Sequence, residues 1–412
     1  MIKHLVKIIW NQRRRNGWIA AEILLVFVVL WYIIDSLMAV GKVFFAPMGW
    51  DIDHVYWISM GVEEVDRNEM DSTYRYITSG RSMLTAIDRI KTCPGVEAVG
   101  AGLMSMPHTG ENRYMHVAVN DSINVEYVKL LEVTPGFLEV FNFRPMEGEK
   151  KDWEEMLNGR QVVLSAGLFR EFQEKGGKRD EGISFWGDRR SIGGVTDFRA
   201  DRFTKSCSWL FMPLTDEEIA EDDTDFHVKI AIRVNPSADH DFPEFFVKQM
   251  EKQLSIDRLY LLDVIPYSDL RYSMELRNGV KSELQNQIAV MGFLLFNIFL
   301  GIIGTFWFRT EQRKGEMGLR IALGSTRFSL KGIMIAEGVL LLTLIAIPAL
   351  LICFNLHVSE LTKGFYMDYT IARFVEGFFI TYLVMAVMII LGIWYPAHQM
   401  VRLEPADALR YE

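Results

Sequence analysis

The sequence is poor in the residue patterns that announce chemistry. Of 412 residues only 3 are cysteine and 8 are histidine, and no H-E-x-x-H occurs. His108 and His116 stand eight apart around Glu111, a spacing without a zinc signature. There is no G-x-x-x-x-G-K-[ST], because Gly41-Lys42 and Gly177-Lys178 run on into Val43 and Arg179; the loop whose backbone amides cradle nucleotide phosphates is therefore missing. A G-x-S-x-G nucleophile elbow is missing as well, and Cys93, next to Pro94, has no activating partner legible in the sequence. Internal repeats and low-complexity tracts are lacking too. These absences point to a chain with no catalytic centre, no bound cofactor and no metal.

Long apolar runs are what the sequence has instead. Residues 18–40, 288–308, 333–354 and 374–394 are each close to the ~20 apolar residues that cross a bilayer as a helix. Glu22, Asp35, Glu337 and Glu376 lie near the ends of these runs, so the plain expectation is that they reach the interface or pair with arginines in the loops. Basic residues set the orientation. Lys3, Lys7 and Arg13 to Arg15 precede the first span, and six Lys/Arg occupy 309–332 between spans 2 and 3. Both segments are expected to face the cytoplasm. The loop 355–373 between spans 3 and 4 is then external, and the tail 395–412 returns inside.

An odd first crossing exports residues 41–287. That region holds 29 Lys+Arg against 42 Asp+Glu, net −13, while the rest of the chain is net +4. So acidic a surface disfavours nucleic acid as a partner. Cys353 falls in span 3, leaving Cys93 and Cys207 outside, where one disulfide is allowed by compartment and left open by sequence. The basic, apolar, small-residue order of the N-terminus resembles a signal peptide, but the run is longer than a signal core, so a retained anchor is expected. Ahead of it, 1–17 reads as a short basic amphipathic helix.

Within the exported region, 74–91 has helical periodicity ending at Cys93-Pro94-Gly95, and 96–99 alternates like a strand. Runs 115–119, 125–133, 161–164, 208–212 and 227–234 are strand-like, and 242–254 is helical. Residues 175–190 and 216–225 read as solvated loops. The proline-free stretch 267–287 is expected to enter span 2 as one continuous stalk helix. The fold class is thus membrane α-helical with four transmembrane helices, carrying a large mixed α+β extracytoplasmic domain between spans 1 and 2.

The polar loop between spans 2 and 3 is the most informative segment. Glu316 and Arg320 form an acid-first i,i+4 pair, Met317, Leu319, Ile321, Ala322 and Leu323 make much of the same turn apolar, and Gly324-Ser325 offers a stop. Such a helix needs a groove to fill. The stretch EQRKGEMGLRIALGSTRFSLK resembles the loop of MacB/FtsX-type ABC transporter permeases, whose pattern is roughly E-I-G-I-R-x-A-L-G-A-[ST]. Glu316, Gly318, Arg320, Ala322, Leu323, Gly324 and Ser325 match it, with Met317 and Leu319 replacing isoleucines. The tail YPAHQMVRLEPADALRYE resembles the family's P-A-x-x-A-x-x-x-x-P-x-x-A-L-R, with Met400 at the inner alanine. CPGVEAVG, VTPGFLEVFNFRPMEGEK and SIGGVTDF resemble landmarks of MacB-type periplasmic domains.

The resemblance implies a non-catalytic permease of the bacterial inner membrane, paired as a homodimer or with a related permease. Those seven loop residues would couple it to a separate ATP-binding subunit that supplies ATP and Mg in trans. Efflux by mechanical transmission is the leading expectation, with a periplasmic adaptor and outer-membrane channel as further partners. Lipoprotein release and FtsX-like control of cell-wall hydrolases are the alternatives. A membrane-anchored sensor or adhesion module without an ATPase is the reading from another class. The cargo is not legible.

Overall fold

The computed structural model describes residues 13–63, 72–111, 113–120, 123–146, 152–176, 184–185, 189–200, 202, 208–221, 227–277, 279–312, 315, 319–321, 323–359 and 370–402. The expected helix at 1–17 lies largely outside them, as does Cys207. Contacts divide the chain into a membrane unit, Met1–Phe45 with Ser282–Glu412, and an inserted unit, Ala46–Lys281.

The chain opens with α1 (Arg13–Phe45) and continues through β1 (Val55–Val62), α2 (Ser72–Lys91), β2 (Val96–Leu103), β3 (Arg113–Asn120) and β4 (Ile123–Val133). Then come α3 (Pro135–Val140), α4 (Trp153–Met156), β5 (Gln161–Ser165), α5 (Ala166–Glu174), β6 (Ser184–Phe185), β7 (Arg189–Val195) and β8 (Trp209–Pro213). The inserted unit closes with α6 (Asp216–Glu221), β9 (Val228–Val234), α7 (Phe242–Met250), β10 (Leu259–Pro266) and α8 (Tyr267–Arg277). Three long helices complete the membrane unit: α9 (Val280–Glu311), α10 (Arg327–Val358) and α11 (Ile371–Arg402).

Four helices are long and apolar enough to cross a membrane, over Gly17–Phe45, Leu284–Phe308, Phe328–Val358 and Ile371–Tyr395. They outrun the four apolar runs because flanking polar residues continue the helix where hydropathy has already fallen. Spans 1, 3 and 4 pack around Phe27, Leu30, Trp31, Leu342, Ala349, Met385 and Ile389, all buried. Asp35 lies inside this bundle, fully buried, and accepts from Arg373 Nε at 2.8 Å and Nη2 at 2.5 Å. Of the two fates expected for it, pairing with an arginine is the one realised, since a side chain with no exposed surface does not reach an interface. Glu22 accepts from Thr305 Oγ1 at 2.8 Å, Glu376 pairs with Lys42, and Glu337 is buried.

The inserted unit is a mixed sheet in the order β10-β1-β9-β2-β4-β8-β5-β7-β6, with β3 paired on β4. Alternation along β9, whose Val228, Ile230, Ile232 and Val234 face one side, sends those residues into a core with α2 and α7. Ala231, on the other face, joins a second core built from aromatic residues. There Phe137, Phe141, Phe143, Phe198, Phe211 and Trp209 stand in a chain of ring contacts with centroids 4.6 to 6.3 Å apart. In the VTPGF landmark, Thr134 opens α3 and its Oγ1 accepts from Ala101 N at 2.9 Å. A Cβ on Gly136 would stand 2.1 Å from Val99 O, so only glycine lets α3 lie this close to β2.

Three expectations change. The acidic run from Asp216 begins with the helix α6, because Thr215 and Glu218 form a reciprocal cap: Glu218 N donates to Thr215 Oγ1 at 3.2 Å and Thr215 N to Glu218 Oε2 at 2.8 Å. The expected loop 175–190 includes β6 and the first residues of β7, while residues 177–183 and 186–188 lie outside the described residues. Finally, 267–287 is not one helix. It breaks between α8 and α9 at Gly279, whose φ of 67° leaves the helical region.

A pH response follows from His108. It is buried, stacked on Trp50 at 5.4 Å, and its Nε2 has no hydrogen-bond partner among the described residues. Burial first, then the charges of Arg271 and Lys129, pull its pKa from 6.5 down to about 4. The unfolded chain therefore binds the proton more readily, and stability that is whole above pH 6.5 falls as pH drops toward 4. That difference is worth on the order of 3 kcal/mol once both states are protonated. Hydrogen exchange of residues 104–110 in the full chain should accelerate between pH 7 and pH 4.5, after correction for intrinsic rates, and His108→Phe should flatten that dependence. A wild-type profile already flat would contradict it.

Candidate functional site

The segment joining spans 2 and 3 ends in a helical turn whose closing bonds are set by Gly324. Gly324 N donates to Ile321 O at 2.9 Å and Ser325 N to Arg320 O at 2.9 Å, with Gly324 at φ 94°. This pairing is the Schellman closure, in which a left-handed residue satisfies the last carbonyls of a helix. One residue later Thr326 begins α10, its hydroxyl accepting from Ser329 N at 3.3 Å. A stop and a start thus stand two residues apart, which makes a tight corner.

The corner exposes apolar side chains. Leu323 is 78% exposed, Leu319 53% and Phe328 88%, whereas Leu330 is buried in the membrane-unit core. Leu319 and Leu323 are one turn apart on the same helical face. Arg320 is half-buried, and Ser325 and Gly324 are exposed. The seven sequence-derived residues are placed unevenly: Arg320, Leu323, Gly324 and Ser325 come together at this corner, while Glu316, Gly318 and Ala322 lie outside the described residues, so the expected Glu316–Arg320 pair does too. Sequence reasoning passed over Phe328 and Thr326. The Ser-Thr pair after a glycine, followed by an apolar run, was the available signal for a second cap.

A concavity of about 590 Å³ in the inserted unit is lined by Glu97, Glu139, Glu154, Asp216, Glu217 and Lys91 among others. No group of three metal-ligating side chains occurs among the described residues. His108 is buried against Trp50, and His116 is exposed beside Tyr127. Cys93 is a free, buried thiol whose pKa burial raises.

One membrane-length helix, a folded mixed α+β unit, and three further membrane-length helices with a capped apolar corner between the first two define a multi-span membrane protein with a domain carried outside the bilayer. Residues 288–405 match the FtsX-like permease C-terminal family. No curated protein matches it. Among solved structures, a domain assigned to a permease from Porphyromonas gingivalis is similar at 14% identity and TM-score 0.33, covering 53% of this chain and 92% of that one. The extracellular domain of the ABC-type transporter YknZ from Gram-positive bacteria is similar at 12% identity and TM-score 0.33, covering 50% and 100%. The periplasmic region of MacB from Actinobacillus actinomycetemcomitans gives 10%, 0.33, 57% and 98%. At that TM-score the three are likenesses only.

Proposed function

We propose that this permease transmits the ATP-driven motion of a separate ATP-binding subunit to its extracytoplasmic domain, and that the work done there is export by mechanical transmission. The observation that carries the reading is the corner at 319–328: an apolar surface on a tightly capped turn, inside the region that matches the FtsX-like family. Exposed leucine and phenylalanine side chains at a loop tip stabilise a complex by leaving water for a partner's groove. The Schellman closure and the Thr326 cap hold them rigid, so a push on the corner reaches α10 without being absorbed in the loop.

On this reading the loop 309–332 and both termini face the cytoplasm of a bacterial inner membrane. ATP and Mg reside on the partner, and the chain itself performs no hydrolysis. The permease acts as a pair, with itself or with a related chain, and a periplasmic adaptor and outer-membrane channel complete the route.

The test is direct. With Leu323→Cys in an otherwise cysteine-free full-length chain, a short bifunctional reagent should link the corner to a co-expressed ATP-binding subunit in inverted membrane vesicles. Failure to link, together with labelling of Leu323→Cys by an impermeant maleimide in intact cells, would place the corner on the outer side and remove the reading. A domain that still works with its last three spans deleted would instead favour a sensor or adhesion module.

A further inference from the structure

At the end of the membrane unit that carries the corner, two basic side chains are in direct contact. Lys331 Nζ, near the start of span 3, lies 2.7 Å from His398 Nδ1, just past the end of span 4. An ammonium has N–H groups to give and no acceptor, so Lys331 donates and Nδ1 accepts. The ring is then neutral, with its proton on Nε2. The backbone under both residues is fixed, because their neighbours Leu330 and Ala397 are buried in the membrane-unit core.

A half-buried lysine ordinarily finds a carboxylate; here its hydrogen-bond partner is another base. Lys331 spends one of its three N–H groups on that ring and keeps its charge and two donors. The sequence adds to this end of both helices. Position 327, an arginine, stands one turn before Lys331 in α10, and position 402, also an arginine, one turn after His398 in α11. Two helices thus each bring two basic positions to one place. Convergent cations with donors to spare fit an oxyanion, and phosphate above others, since its oxygens accept several charge-assisted hydrogen bonds at once.

Aromatic side chains at the same level indicate which phosphate. The Trp394 ring stacks on His398 at 5.9 Å, and Trp307 packs on Tyr395 at 5.4 Å. Gly392 makes the second pair possible, bringing α11 so near α9 that a Cβ there would stand 3.4 Å from Ile303 Cα. Trp307, Trp394 and Tyr395 are all exposed. Exposed tryptophan and tyrosine at the ends of membrane spans sit at headgroup level. His398 comes one turn after Trp394, about 6 Å further along the helix, which is within the thickness of the headgroup layer. We infer that Lys331 and His398 form a binding site, between spans 3 and 4, for the phosphate of an anionic phospholipid headgroup. The site belongs to the membrane unit and stands whether or not the corner docks an ATP-binding subunit.

Native mass spectrometry of the full-length chain in mild detergent, titrated with phosphatidylglycerol or with phosphatidylcholine, tests this. Wild type should hold phosphatidylglycerol at least about tenfold more tightly than phosphatidylcholine, whose choline offsets the phosphate charge. Lys331→Gln should weaken phosphatidylglycerol binding by about fivefold, and Lys331→Gln with His398→Gln by about tenfold or more. Lys331→Arg, which keeps the charge and the donors, should stay within about twofold of wild type. A wild-type chain with no preference for phosphatidylglycerol overturns the inference, and that result depends on no variant. A double variant that holds phosphatidylglycerol as tightly as wild type overturns it too. Inorganic phosphate is the third arm. Failure to displace the lipid at about a tenfold excess supports the headgroup as the source, whereas displacement at equal concentration assigns the site to soluble phosphate and overturns the lipid reading.

Discussion

Truncating Arg373 to alanine in the full-length chain is expected to destabilise the membrane unit by about 3–5 kcal/mol, because it leaves the Asp35 carboxylate buried without its counter-charge. Asp35 is fully buried and Arg373 is 3% exposed, so neither group has solvent to fall back on. Asp35→Ala should cost a similar amount for the mirror-image reason. Removing both charges, as Asp35→Leu with Arg373→Met, should recover most of the loss, since a buried ion pair replaced by packed apolar groups is often neutral. The signature is therefore the coupling energy of the double-mutant cycle rather than any single value. The check is resistance to unfolding in mixed micelles at increasing denaturing-detergent fraction. Single variants within about 1 kcal/mol of wild type would show that the pair is solvated in the membrane and holds nothing together.

Leu323→Asp carries the second large effect, on assembly rather than folding. With 78% of its surface exposed, this leucine contributes little to the permease fold, and an aspartate there should leave insertion and yield unchanged. Burying a carboxylate in a partner's apolar groove costs several kcal/mol, so affinity for the ATP-binding subunit should fall by about a hundredfold or more. Leu323→Met, which keeps the apolar volume, should stay within about threefold of wild type. Co-purification of the two subunits at graded salt and detergent reads the difference. If Leu323→Asp retained its partner as tightly as wild type, the corner would not be the docking surface.

Much of the fold could be read in advance because its signals are local. The strands β4, β5 and β9 carry runs of β-branched residues, and α2 ends where Pro94 and Gly95 stop it. The stop at Gly324 was legible for the same reason: a glycine past an apolar turn has the conformational freedom the closure needs. The strands β1 and β10 were missed. Val55–Val62 and Leu259–Pro266 alternate poorly because each is partly buried on both faces, and β10 also carries an irregular register against β1. The stalk was misread in the opposite direction. The stretch holds no proline, yet it breaks at Gly279, because glycine gains least from staying helical and adopts a positive φ without strain.

By itself the sequence determined how many times the chain can cross a bilayer, where the large domain is inserted, and which turn carries the family's loop pattern. Each of these follows from residues near one another, through hydropathy, capping chemistry and backbone freedom. Only the tertiary structure decided that Asp35 would meet Arg373, that Arg199 would reach back to Ala46, and that span 1 would supply more of the membrane-unit core than span 2. Those partners lie more than a hundred residues apart, and contacts of that kind are selected by the packing of whole elements, which no local pattern encodes.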